Sequence, residues 1–253
     1  MQGWCETPNR EWKGIQVAEL PKFVSQGKPR ASIAPRQRLE DEAYNAIRDM
    51  IISNELMGGQ VISVVALADH LGVSRSPVTK AVAALEQDGF IESEPFKAPR
   101  VATVTTKFVR DVYDLRTVLE ARSAANAVSN LSDADVATLT AGLASLERSQ
   151  PQADPTAVAS FDVALHHLFA QRADNKLLAG FLDNLELHLN RIRNVYKEHI
   201  YSEPETDMQL SELQAIVHAA VNRDAGAAEV AMRDHVWRHA QRLIEKIGGS
   251  PIS

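Results

Sequence analysis

Asp162 and His166 stand four residues apart in a stretch where Leu165 and Phe169 flank His166 on one helical face and His167 points the other way. At about 100° per residue, a carboxylate and an imidazole at this spacing project together, so they can share one metal ion or one bound molecule. His235 and His239 repeat the spacing at the border of the apolar face of the last helical stretch. Arg116 shares a face with Val109, Val112 and Leu119, and an inward guanidinium can grip a carboxylate. Two plainer readings stand beside these. Asp162 and His166 can bond each other without a metal, and Arg116 can pair internally with Glu120 one turn on. His188, Arg191 and Arg193 flank another long stretch, where most charges are simply solvated.

A second set of polar residues is grouped by a turn. In 65–71 apolar residues recur at mostly helical spacing, and Gly72 follows where a left-handed C-cap ends a helix. Ser74 can accept from the first N–H groups of a new helix, with Pro77 in its first turn. Val78, Ala81, Val82 and Leu85 then form one face, closed by Gly89. The other face presents Ser74, Arg75, Ser76, Thr79 and Lys80, short donors and two cations suited to phosphate oxygens and base edges. This is the outline of a helix-turn-helix. Phe90 and Ile91, then Val101, Val104 and Val109, suggest two short strands around a turn with Pro95 and Pro99. Such a hairpin is a wing, and Lys97 and Arg100 near its tip can hold backbone phosphate.

The elements that must position these groups are mostly helical. A first helix over 38–55 carries Leu39, Ala43, Ala46, Ile47, Met50 and Ile51 on one side and ends at Met57-Gly58-Gly59. After the wing, helices are predicted over 107–129, 133–148, 155–173, 176–201, 204–222 and 225–248, with breaks at Leu131-Ser132-Asp133, Pro151 to Pro155, Asp174-Asn175 and Ser202 to Pro204. Short connections make them an antiparallel bundle. The organisation expected is a leader (1–35), a winged helix-turn-helix domain (36–105), a helical domain (106–248) and a short tail (249–253). The leader has no sustained period and reads as flexible; Trp4 and Trp12 leave two readings open, a short segment that docks on the body or a dispensable or misassigned start.

Composition bounds the function. With 253 residues and 45% hydrophobic content, the chain can pack one small and one medium core. No apolar run approaches the ~18 residues of a membrane span, and the N-terminus lacks an export signal core. Cys5 is the single cysteine, which rules out an intramolecular disulfide and fits a reducing, cytoplasmic setting. The net charge is −6, and residues 36–105 hold seven Lys/Arg against ten Asp/Glu. An acidic body lowers nonspecific attraction to DNA and leaves recognition to the local cations.

Leu67-Ala68, Leu71-Gly72-Val73-Ser74-Arg75, Pro77-Val78, Ala81, Leu85 and Gly89 resemble the winged helix-turn-helix of GntR-type transcriptional regulators. Asp111, Leu115-Arg116, Leu119-Glu120 and Ala124-Ala125 resemble the opening helix of the all-helical FCD effector domain of the family's FadR-like branch. The likeness runs from about residue 40 to about 248 and departs from the family pattern at Val65-Ala66, at Thr79-Lys80 and at Ala98, which stands where the wing has a glycine. It implies that Asp162, His166 and His235 hold a divalent metal such as Zn²⁺ and that a small carboxylate effector completes its coordination. The family's remaining histidine is replaced by Leu213, and His218 lies about 140° around the helix from it. Three ligands with water can still hold Zn²⁺, more weakly. In metal-independent members of the branch the same pair sits in a metal-free pocket.

The reading that follows is a mostly α regulator, not an enzyme, whose affinity for a palindromic double-stranded operator is set by a carboxylate in the bundle. The resemblance and the symmetry of such operators imply a homodimer. The rival is a metal-dependent helical enzyme in which Asp162, His166 and His235 activate water, but no general base or nucleophile pairs with that cluster.

Overall fold

A computed structural model describes residues 34–148, 154–197 and 206–248. The leader expected over 1–35, Cys5, both leader tryptophans and the tail fall wholly or almost wholly outside these. Among the described residues there are nine helices and one two-stranded sheet.

Helix α1 (Ala34–Ile52) lays Ala43, Ile47 and Ile51 against the helix-turn-helix, with all three nearly inaccessible. Helix α2 (Val64–Leu71) begins at Ser63, whose hydroxyl accepts from the Ala66 N–H. It ends at Gly72, which takes φ 66° and so turns the chain where a side chain would be strained. Helix α3 (Arg75–Gln87) buries Val78, Ala81, Val82 and Leu85, the face read from their spacing. Strands β1 (Ile91–Glu92) and β2 (Arg100–Val101) pair antiparallel, Ile91 with Val101 and Glu92 with Arg100. Val61 adds a bridge to Arg100 on the other side. The wing is therefore shorter than its apolar residues suggest. Val109 does not belong to it, because Thr105 caps a helix there by accepting from the Phe108 N–H.

That helix, α4 (Thr106–Val128), opens a bundle with α5 (Asp133–Arg148), α6 (Pro155–Arg172), α7 (Lys176–Val195), α8 (Thr206–Val221) and α9 (Ala225–Lys246). The breaks have local causes. Ser132 and Asp135 cap each other's backbone N–H groups reciprocally, and Asp154, Asn175 and Asp224 each accept an N–H of the helix they precede. The described part of α7 ends at Val195, short of the expected 201. Val109, Val112, Leu165, Phe169, Leu189, Leu213, Ile216, Met232, Val236 and Leu243 build the bundle core, separate from the helix-turn-helix core.

Helix α7 joins the two cores. Arg191 and His188 are not solvated, as their positions suggested, but buried in this seam. The His188 ring stacks on Phe90 with centroids 4.5 Å apart and meets the edge of Phe108 at 5.5 Å. Arg191 donates to the Ala102 carbonyl, Asn194 to the Ile52 carbonyl at 2.7 Å, and Tyr196 to the Val104 carbonyl at 2.9 Å.

Candidate functional site

Two surfaces carry the chemistry. On the first, Ser74, Arg75, Ser76, Thr79 and Lys80 are all exposed along one side of α3. Ser74 stands at the N-cap, yet its hydroxyl makes no capping bond, contrary to the expected role. Thr79 donates its hydroxyl proton to the Arg75 carbonyl at 2.9 Å, and Lys80 lies 2.6 Å from Glu40 of α1. Lys97 is exposed in the wing and paired with Glu94 at 2.7 Å. Arg100 differs from expectation. It lies in the ladder rather than near the tip, and donates to the Gly59 carbonyl at 2.9 Å.

The second surface is buried in the bundle. Helix α6 supplies Asp162 and His166, α9 supplies His235, and one ligand atom from each lies within 4.8 Å of the others. Asp162 Oδ1 is 3.3 Å from His166 Nε2 and 3.0 Å from His235 Nε2. Helix α4 adds Arg116, whose Nη2 is 3.3 Å from His166 Nε2 and whose Nε donates to Glu120 at 2.8 Å. The internal Arg116–Glu120 pair and the approach of Arg116 to the cluster thus coexist.

Behind each imidazole stands a carboxylate. Glu120 Oε2 is 2.5 Å from His166 Nδ1, and Glu212 Oε2 is 3.0 Å from His235 Nδ1. The Glu212 hydrogen bond holds a proton on His235 Nδ1 and turns Nε2 to the cluster, whereas Glu120 Oε2 and His166 Nδ1 are close without an aligned hydrogen bond. Arg242 clamps Glu212 through two bonds of 2.7 and 3.0 Å. Asp162 Oδ1 and His235 Nε2 are buried and, despite their closeness, make no aligned hydrogen bond. Buried polar atoms are rarely left so, and a carboxylate oxygen facing two imidazole nitrogens is a donor set that Zn²⁺ accepts. Leu213 sits wholly in the core and offers no fourth ligand.

The charges are strongly coupled. Burial alone pushes Asp162 upward, but the His235 and His166 imidazoles hold it well below the usual carboxylate range. Burial opposes protonation of His166, yet Glu120 and Asp162 raise it to about 9. His235 is also raised, against its burial, by Asp162 and Glu212. Glu120, between Arg116 and His166, is lowered to about 2 despite its burial. His239 does not join the cluster's contacts. It stacks on Tyr113 with centroids 5.7 Å apart, and burial beside Arg116 pushes it down to about 3. Glu212 and Arg242 escaped the sequence reading. Arg242 lies seven residues after His235, two helical turns on the same face, and that spacing was the available signal.

Residues 39–101 match the gntR family of bacterial regulatory proteins, and residues 111–238 match the FCD domain. The chain belongs to the GntR family of transcriptional regulators, in its FCD branch. This regulator is 26% identical over 202 residues to the HTH-type transcriptional repressor RspR of Escherichia coli, covering 80% of this chain and 87% of that one. It is 28% identical over 207 residues to the HTH-type transcriptional regulator LutR of Bacillus subtilis, covering 74% and 93%. Among solved structures, E. coli McbR/YncC shares its fold with a TM-score of 0.60 at 19% identity, over 83% of this chain and 98% of that one. A GntR transcriptional regulator from Rhodococcus sp. RHA1 does so with a TM-score of 0.58 at 18% identity, over the same shares. The regulator is thus a DNA-binding protein rather than the helical enzyme that was the rival reading. No helix among the described residues is long and apolar enough to cross a membrane.

Proposed function

We propose that this regulator senses a small organic acid in its helical bundle and changes its operator affinity in response. The observation that carries the reading is the buried convergence of Asp162, His166 and His235 beside Arg116, with Asp162 Oδ1 and His235 Nε2 lacking an aligned partner. Asp162, His166 and His235 would hold one divalent ion, with Glu120 and Glu212 fixing the two rings. The ion would supply Lewis-acidic coordination for a carboxylate, at the position that Leu213 leaves without a protein ligand. The Arg116 guanidinium would orient the acid by charge-assisted hydrogen bonds.

The response would reach DNA through α4 and α7. Helix α4 carries Arg116 and Glu120, and its Phe108 packs against His188, which stacks on Phe90 at the root of the wing. A shift of α4 on ligand binding would reorient the reading head. Ser74, Arg75, Ser76, Thr79 and Lys80 would contact the major groove, and Lys97 and Arg100 of the wing would approach the backbone. Two copies, as a cytoplasmic homodimer, would place two α3 helices one DNA turn apart on a palindrome.

The test combines thermal-shift screening of small carboxylates, with and without Zn²⁺, and gel shifts on the promoter of the protein's own gene. Expected are a stabilising acid whose effect grows with Zn²⁺ and a salt-sensitive DNA complex altered by that acid. If Asp162→Ala left every ligand-induced shift intact, the site assignment would be wrong.

A further inference from the structure

The wing tip ends in an apolar side chain where a cation was expected. Phe96 is fully exposed, the most exposed of the large hydrophobic residues described. Its backbone stands at φ 64°, in the left-handed region that a bulky residue enters only under strain. The family glycine of the wing was matched to Ala98, but Phe96 is the tip residue with positive φ. A strained and exposed aromatic is costly twice over, and such outliers gather where function holds them.

The ladder places the wing beside the segment that leads into α2. Gly59 N bonds Val101 O and Ile62 N bonds Pro99 O, so the hairpin runs alongside 59–62 and past Ser63, the N-cap of α2. In a helix-turn-helix the helix before the reader crosses the DNA backbone, so the tip is carried toward the duplex beside α3. The two cations of the wing are already engaged, Lys97 with Glu94 and Arg100 with the Gly59 carbonyl. The Phe96 ring is the large apolar group left exposed at the tip.

We propose that Phe96 is a minor-groove wedge: on the operator it inserts at a base step beside the major groove read by α3, partly unstacks it and bends the duplex. Apolar side chains bind the minor groove in this way, and pyrimidine–purine steps such as TA and CA/TG yield most easily. The wing would then add specificity through DNA deformability, at positions where no hydrogen bond reads a base. The proposal rests on the wing meeting DNA, a reading the controls below test separately.

The experiment uses the full chain and a promoter duplex in which 2-aminopurine replaces adenine at the steps flanking each half-site. Affinity is read by anisotropy, bending by end-to-end energy transfer and unstacking by 2-aminopurine fluorescence. Wild-type protein is expected to brighten one flanking step and bend the duplex. Phe96→Gly, which relieves the positive φ and leaves the thermal midpoint unchanged or higher, is expected to bind about tenfold more weakly or worse, without brightening or bend. Phe96→Leu keeps an apolar wedge and is expected to retain most of the bend. If Phe96→Gly binds and bends like wild type while Arg75→Ala abolishes binding, the wedge is wrong and the reading by α3 stands. If wild-type protein shifts no promoter duplex, both fall.

Discussion

Leu213 offers the proposed metal site no fourth protein ligand. It is completely buried beside Glu212, whose carboxylate is already committed to His235 and Arg242. A three-ligand site holds zinc with water or a ligand oxygen in the fourth place, the open arrangement suited to exchange. Replacing Leu213 by His is expected to raise Zn²⁺ affinity by about tenfold or more, read by competition with a chelating dye, and to lower the metal-free thermal midpoint because a polar ring enters the core. Added Zn²⁺ would restore the midpoint through linkage. Glu212→Gln is expected to act oppositely, weakening Zn²⁺ by roughly 10–100-fold while leaving all three ligands in place. An unchanged affinity in both variants would remove the metal from the account.

The elements hold these residues by local chemistry that can be probed singly. Ser63 caps α2 through the Ala66 N–H, so Ser63→Ala is expected to cost about 1 kcal/mol in thermal or denaturant unfolding. Helix α7 offers a pH-dependent test. Burial lowers the His188 pKa below its usual 6.5, Arg191 on the same helix lowers it further, and Asp88 at the end of α3 pulls the other way. Phe90 and Phe108, which face the ring, do not titrate. The folded imidazole therefore stays neutral where the unfolded one takes up a proton. Its contribution to stability is present above about pH 6.5 and is lost as pH falls toward the lowered folded value. The expected result is a wild-type thermal midpoint that falls, from pH 7 to pH 5.5, relative to that of His188→Phe, which keeps the stack without the titration. His239 is lowered as well and acts in the same direction in both proteins, so the difference isolates His188. His166 and His235 are raised, so their share is full below about pH 6.5 and is lost as pH rises from there through their folded values, about 9 for His166; it opposes the effect of His188 equally in both proteins and cancels in their difference.

For the whole molecule, charge and symmetry make the prediction. The helix-turn-helix region carries seven Lys/Arg against ten Asp/Glu, and Lys80, Lys97 and Arg100 each have an intramolecular partner. Nonspecific affinity for DNA is therefore expected to be weak, and operator binding steeply salt-dependent, since each phosphate contact contributes about 0.9 to the slope of log affinity against log salt. Sedimentation of the operator complex should give two chains per duplex, with footprints of the two half-sites about one helical turn apart. One chain per site would overturn the dimer.

The helical periods, the capping residues and the turn glycines are local rules, and each depends on neighbours within about four residues. For this reason α2, the face of α3, the start of α5 and the inward Asp162–His166 pair were all legible from the chain, as was the family. What the sequence could not show depends on elements distant along it. Leu213 was visible, but not that Glu120 of α4 and Glu212 of α8 would stand behind two imidazoles of α6 and α9. Ala98 marked a missing glycine, yet the positive φ of the wing stands at Phe96. His188 and Arg191 looked like solvated charges on an amphipathic helix until a second core closed over them. Burial is a property of two surfaces meeting, and a linear pattern records only one of them.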